Sequence, residues 1–292
     1  METSTRFNPR ITLRRRIGFV LAVVFFLATF LGIVVLLTLI VDVIRKGMPW
    51  LDWGFITGLP SRKPEEAGFL PAIVGSLWMM GLTALFSVPL GVGAAIYLEE
   101  YARKNLLTRL IQINIGTLAG VPSVLYGVLG LALFVRFMGF GRSLLAGSLT
   151  MTLLILPIII ISTQEALRSI PYTLREGAFA LGATRWQVVA GQLLPAAAPG
   201  IFTGIILSLS RALGETAPLI MIGALTFVAF LPSSIFDPFT VMPIQIFNWT
   251  ARPQEAFRGL AAAGIIVLLI FLLLMNASAI YLRYYFERHR PR

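Results

Sequence analysis

Two ionisable side chains, Arg211 and Glu215, stand inside the apolar run PAAAPGIFTGIILSLSRALGETAPLI. Charge at membrane depth persists only where it pairs, lines water or binds something. Ser208, Arg211 and Glu215 fall at steps of three and four, the spacing that sets side chains on one helix face. A guanidinium holds two oxygens of a tetrahedral oxyanion in a fork, which a lysine point charge does less specifically. Glu215 would accept a hydrogen bond from a protonated oxyanion, a contact that a fully ionised one cannot make. The alternative is an ion pair that holds a helix bundle together, and the two roles are compatible. Pro218 cannot donate to the carbonyl of Gly214, so the backbone beside Glu215 is expected to be loosened.

A second polar spot lies in GTLAGVPSVLYGVLGL, where Pro122 frees a backbone carbonyl and Ser123 and Tyr126 are candidates to line a path. Gly116 and Gly120 there form a GxxxG face, whose simpler reading is tight helix packing. No other chemistry is offered. The chain lacks the phosphate-cradling GxxxxGK[ST] loop, HExxH, GxSxG and an EF-hand pattern, so it has no catalytic centre and is not expected to be an enzyme. With no cysteine, disulfides, thiolate metal sites and cysteine nucleophiles are excluded, and no metal site is expected. His289, the single histidine, lies among arginines in the tail and reads as solvated. Asn248, Trp249 and Thr250 spell a glycosylation sequon of little weight.

Composition fixes what must position these groups. Hydrophobic residues make up 57% and charged residues 13%, with mean hydropathy +0.86, too apolar for a water-facing domain of 292 residues. The chain is an all-α integral membrane protein in the lipid bilayer. Its formal charge of +11 is scattered and unaccompanied by aromatic binding modules, so it points to topology and anionic lipid rather than nucleic acid.

Six transmembrane helices are expected in one domain over 17–284, between a cytoplasmic tail 1–16 and a basic cytoplasmic tail 285–292. The first span runs from Ile17 to Ile44 behind Arg14, Arg15 and Arg16, too long for a signal-peptide core. The second runs from Leu70 to Leu98, the third from about Leu110 to Val135 and the fourth from Leu144 to Thr163. The fifth runs from about Gly200 to Leu225 and the sixth from about Leu260 to Tyr284. Arg45 to Gly68, with Trp50 and Trp53, and Arg136 to Arg142 lie outside. Five, three, three and four basic residues then fall on the inside, and four, two and two outside, which with Arg211 makes the full twenty-four. That inward bias favours both termini in the cytoplasm. Neither an internal repeat nor a soluble domain boundary is visible.

The cytoplasmic stretch 165–195 carries the most specific pattern. Glu176, Gly177 and Ala178, then Gly182, then Leu194 and Pro195 resemble the EAA motif of binding-protein-dependent ABC importer permeases, with both intervals kept. Gly177 replaces the usual second alanine, and Gln192 stands where an aliphatic residue is usual. Physically, Leu174 to Leu181 suits a short helix that Gly182 ends in a turn. The resemblance implies a coupling helix, including Ala180, seated in a groove of an ATPase; a loop that merely links two spans is the alternative.

PAIVGSLWMMGLTALFSVPLGVGAAIYLEEYA, LAGVPSVLYGVLGLALFV, LSRALGETAPL and VMPIQIFNW extend the likeness. They resemble the phosphate transport system permeases, and the first of them looks more like the A-type than the C-type subunit. The resemblance implies that Arg211 and Glu215 belong to a phosphate path. It also implies a heterodimer with a C-type permease, two ATPase subunits and an external phosphate-binding protein, in a bacterial inner membrane. ATP and Mg would be held by the ATPase, and this chain would carry no cofactor. Sulfate or molybdate as cargo is the nearest alternative. A secondary transporter or anion channel would need the buried charge but not the EAA spacing, and a membrane scaffold would need neither.

Overall fold

The computed structural model describes residues 10–224 and 227–288. Leu225, His289, Arg290 and Arg292 lie outside the described residues. In chain order the helices are α1 (Arg10–Gly47), α2 (Trp53–Thr57), α3 (Leu70–Ile96), α4 (Leu106–Leu118), α5 (Ser123–Gly130) and α6 (Leu144–Arg168). They are followed by α7 (Tyr172–Ala180), α8 (Arg185–Val188), α9 (Leu194–Gly214), α10 (Ala217–Ile222), α11 (Met242–Thr250) and α12 (Glu255–Arg288). Among the described residues there is no strand.

Five continuous helical stretches are long and apolar enough to cross a bilayer: Arg14–Trp50, Leu70–Tyr101, Leu144–Arg168, Arg185–Gly214 and Glu255–Ser278. A sixth crossing exists if α4 and the stretch Ser123–Phe137 count as one span, and these two meet at 105°. The third span, expected from about Leu110 to Val135, is therefore corrected to two helices that meet at a break. Pro122 supplies no donor, and its ring cannot follow a helical turn, so α4 ends and α5 restarts just past it. The GxxxG reading also fails within this chain: a methyl at Gly116 would meet nothing, and one at Gly120 only the chain's own Thr117 carbonyl.

The most buried span, α6, starts at a Ser143 cap and is the hub of the molecule. It lies parallel to α3, with Gly91 against Ile159 and the Thr83 hydroxyl within 3.4 Å of the Ser148 carbonyl. Antiparallel to it runs α9, whose Gly200 and Gly204 rest on Ala166 and Ser162. Small residues suit such contacts because apolar side chains gain nothing over lipid by pairing, whereas close backbones gain dispersion. By contrast α1 is apolar all round from Ile17 to Val41 and exposed from Arg14 to Leu39, before Gly47 meets Ala262 and Ala263 of α12. In a bilayer such a helix is covered by lipid.

The fifth span differs from expectation at both ends. Thr184 accepts from the Gln187 amide, Gln187 reaches back to Thr184, and this capping box starts the helix fifteen residues before Gly200. Pro195 stands inside the continuous helical stretch Arg185–Gly214. A widened π turn at Val189–Leu193 precedes it and absorbs the missing bond. The helix then stops at Gly214, and Glu215 is extended at φ −80° and ψ 122°.

At the end of the bundle away from α7, α2, capped by Asp52, puts Phe55 against Phe69 and Trp249, with ring centroids 5.4–5.8 Å apart. The Ser76 hydroxyl accepts from the Met242 amide at 2.9 Å, seating α11 on α3. Leu144 and Leu145 amides donate to the Asp237 and Ile235 carbonyls, so the segment before α11 covers the N-terminal end of α6. The Asp237 carboxylate accepts from the Ser233 amide and hydroxyl and the Ser234 amide, and these donors hold its pKa below the usual carboxylate value. The turn is thus braced across neutral pH, and this support is lost only as pH falls through that depressed value.

Candidate functional site

Arg211 lies three residues before the end of α9. The contacts of Gly200 with Ala166 and Gly204 with Ser162 set the register with α6, and carried on toward Arg211 it reaches the level of Ile155, near the middle of α6. Arg211 is therefore level with the middle of the most buried span. Its Nε lies 3.6 Å from Glu215 Oε1, and the two side chains are 53% and 23% exposed. The contact is loose and open, unlike a sealed structural pair.

Ser208 does not join them. It is 1% exposed, and its hydroxyl donates to the Gly204 carbonyl at 2.8 Å, on the side of α9 that packs inside. A step of three leaves side chains about 60° apart on a helix of 3.6 residues per turn, enough here to put Ser208 under cover and Arg211 outside. Nor is the backbone at Glu215 a loosened continuous helix. Pro218 stands in the first turn of α10, where a missing donor costs nothing. The charged pair thus sits at a break between two helix ends, with α10 held against α5 by the fit of Gly127 over Pro218.

At the opposite end, α7 carries Glu176, Gly177, Ala178 and Ala180, and Gly182 closes it in the left-handed region at φ +81°. Its amide and that of Ala183 return to the carbonyls of Phe179 and Ala178. The helix begins two residues before the expected Leu174. Around it Tyr172, Phe179, Leu181 and Trp186 stand exposed, and Leu181 is 91% accessible. A groove of about 970 Å³ runs between α7 and the start of the fifth span, lined by Gly177, Leu181, Gly182, Trp186 and Gln187. Exposed apolar side chains gathered beside polar groups at one end of a helix bundle mark an interaction surface.

Over residues 87–290 the chain matches the family of binding-protein-dependent transport system inner membrane components. The chain belongs to that family. It is 35% identical over 272 residues to the phosphate transport system permease protein PstA of Mycobacterium leprae (strain TN), covering 89% of this chain and 87% of that protein. To PstA of Haemophilus influenzae (strain ATCC 51907 / DSM 11121 / KW20 / Rd) it is 31% identical, covering 91% and 92%. To the probable ABC transporter permease protein YqgI of Bacillus subtilis (strain 168) it is 33% identical, covering 81% and 85%. Among solved structures, a bacterial alginate ABC transporter in complex with an alginate pentasaccharide-bound periplasmic protein aligns over 94% of this chain and 98% of that one, with TM-score 0.65 and 17% identity. The inward-facing MetNI methionine ABC transporter aligns over 74% and 94%, with TM-score 0.62 and 20% identity. The fold is that of an ABC transporter permease.

Of the two residues beside Pro122 in this permease, Tyr126 is buried and its hydroxyl donates to the Leu118 carbonyl at 2.8 Å. It closes the open end of α4 across the break, so the hydroxyl serves the fold. Ser123 begins α5 and stays half-buried. Sequence reading passed over two other polar sets in the permease. Ser210 donates to Asn276 Oδ1 at 2.8 Å, tying α9 to α12; an asparagine inside IFLLLMNASAI was the visible sign. Glu99 and Glu100, which follow α3, pair with Arg168 and Arg175, sequence distances at which no local pattern speaks.

Proposed function

We propose that this chain is the A-type permease subunit of an ATP-driven phosphate importer in a bacterial inner membrane, with both termini in the cytoplasm. The observation that carries the reading is the half-exposed Arg211 guanidinium level with the middle of α6, in a chain whose relatives are phosphate transport permeases. A cation there cannot face hydrocarbon. The face of α9 that bears Leu207, Arg211 and Gly214 therefore belongs against a second permease, with a water-lined phosphate path between the two chains.

In that path Arg211 replaces part of the anion's lost hydration and Glu215 accepts from a protonated phosphate oxygen. Ser208, covered by its neighbours, supports the helix at this point rather than touching the anion. The chain performs no catalysis and holds no cofactor. ATP and Mg are held by two ATPase subunits, which grip α7 at Glu176 to Gly182 and the exposed rings around it. An external phosphate-binding protein delivers the anion to the opposite face.

In the reconstituted complex, the phosphate-loaded binding protein is expected to stimulate ATP hydrolysis, while sulfate and molybdate do not. Stimulation by sulfate or molybdate instead would reassign the cargo to another oxyanion and leave the importer architecture standing.

A further inference from the structure

Next to Glu176 on α7 stands Arg175, which faces away from the cytoplasmic surface. Its side chain is 13% exposed, and that of Glu100 is 14% exposed. Arg175 Nη2 lies 2.8 Å from Glu100 Oε1 and donates to the Leu167 carbonyl at 3.1 Å. One guanidinium nitrogen thus joins three elements: α7, the π turn Tyr97–Tyr101 that prolongs α3, and the last turn of α6. A second pair runs alongside. Arg168 Nε donates to both oxygens of Glu99 at 3.0 Å, and its Nη2 sits 2.9 Å from Oε2.

These pairs stand near the end of α6, away from Arg211, which is level with the middle of that helix. Arg175 bonds α7 to the ends of α3 and α6, the two spans packed most intimately against each other, and the Arg168–Glu99 pair ties those two ends to one another. A helix held only by apolar contact can slide when pushed, because such contact is non-directional. A bidentate or buried charge pair resists sliding, since displacement strands a desolvated charge.

We propose that Arg175 and Glu100, assisted by Arg168 and Glu99, form a clamp that passes displacement of the coupling helix α7 to α3 and α6. The proposal rests on the reading of α7 as the ATPase-facing coupling element. Arg175 and Glu100 are positioning residues: they touch neither anion nor nucleotide, and they turn movement of one short helix into movement of two spans. Arg168, more exposed at 53%, contributes the lesser share.

The test is the number of phosphates imported per ATP hydrolysed, measured on the complete complex in proteoliposomes. Glu100→Gln keeps the shape and removes the charge. It is expected to leave the ATPase bound and hydrolysing while the ratio falls about tenfold, within the range of coupling between two sites in one protein. A purely structural role would lower both rates with the amount of complex and leave the ratio alone. An unchanged ratio in Glu100→Gln overturns the clamp. Because the chain has no cysteine, Glu100→Cys/Arg175→Cys bridged by a bis-thiol reagent gives the second arm. Bridging is expected to restore the ratio, and a bridged complex that stays uncoupled also overturns the proposal, even if Glu100→Gln fails to assemble. Ala180→Arg, on the outer side of α7, separates this proposal from the one beneath it. If it transports normally with the ATPase bound, the coupling element itself is misassigned; if it uncouples while Glu100→Gln does not, only the clamp fails.

Discussion

At Arg211 and Glu215 the sequence already carried the essential fact, a cation and an anion four residues apart in an apolar run. It did not carry how open they are. Breaking a sealed pair costs about 3–5 kcal/mol, but exposed pairs are typically worth about 1 kcal/mol or less. At 3.6 Å and 53% exposure of Arg211 the pair belongs near the weaker end. Arg211→Gln, Glu215→Gln and the double variant are therefore all expected to reach the membrane at close to normal amounts. Uptake per folded complex is expected to collapse in Arg211→Gln and in the double variant, because no cation replaces the anion's hydration. Arg211→Lys should transport at an intermediate rate at best, keeping charge and losing the fork. Full uptake by the double variant would reduce the pair to a packing contact. Ser208 was placed with them by helical spacing, which gives the angle between side chains but not the line where a neighbouring helix begins to cover them. Here that line, drawn by the contact of Gly204 with Ser162, falls between Ser208 and Arg211.

Among the elements, span number was legible because apolar length reports it directly. The shape of the spans was less so. Hydropathy counts residues and has no direction, so α4 and α5 read as one span although Pro122 marked the break. The start of the fifth span was written in Thr184 and Gln187, a capping box that lies ahead of the strongly apolar run from which the span was read. The helix at Glu176 and its Gly182 stop were the best-read element, because a positive-φ glycine is a local requirement. The broken span gives its own test. Tyr126→Phe removes only the hydroxyl that closes α4, and is expected to cost about 1 kcal/mol of stability. That should appear as a lower thermal midpoint, with uptake per folded complex unchanged. Reduced uptake at unchanged stability would instead place the hydroxyl in the solute path.

For the whole molecule, the charge count predicted an orientation that the fold by itself does not contain. Single cysteines at Ser61 and Pro253 in this cysteine-free chain are expected to react with an impermeant thiol reagent from outside sealed cells, and one at Thr184 is not. Labelling at Thr184 would invert or break the six-span arrangement. What the sequence could not contain is the long-range wiring: Glu100 with Arg175, and Ser210 with Asn276, meet only after the chain has folded. The same holds for the open face of α9, which becomes visible once α6 covers the other side. A mid-membrane arginine on that face and apolar rings on the cytoplasmic loop are the marks of a subunit that is incomplete alone.

The central claim is ATP-driven phosphate import through a path that includes Arg211. It is tested most directly by loading liposomes with the full complex, supplying ATP on the ATPase side and labelled phosphate with its binding protein on the other. The expected result is accumulation above the external concentration, dependent on ATP, undiminished by excess sulfate and lost in Arg211→Gln complexes that still bind their ATPase. Phosphate that merely equilibrates across the membrane without ATP, or accumulates equally well in Arg211→Gln, would contradict it.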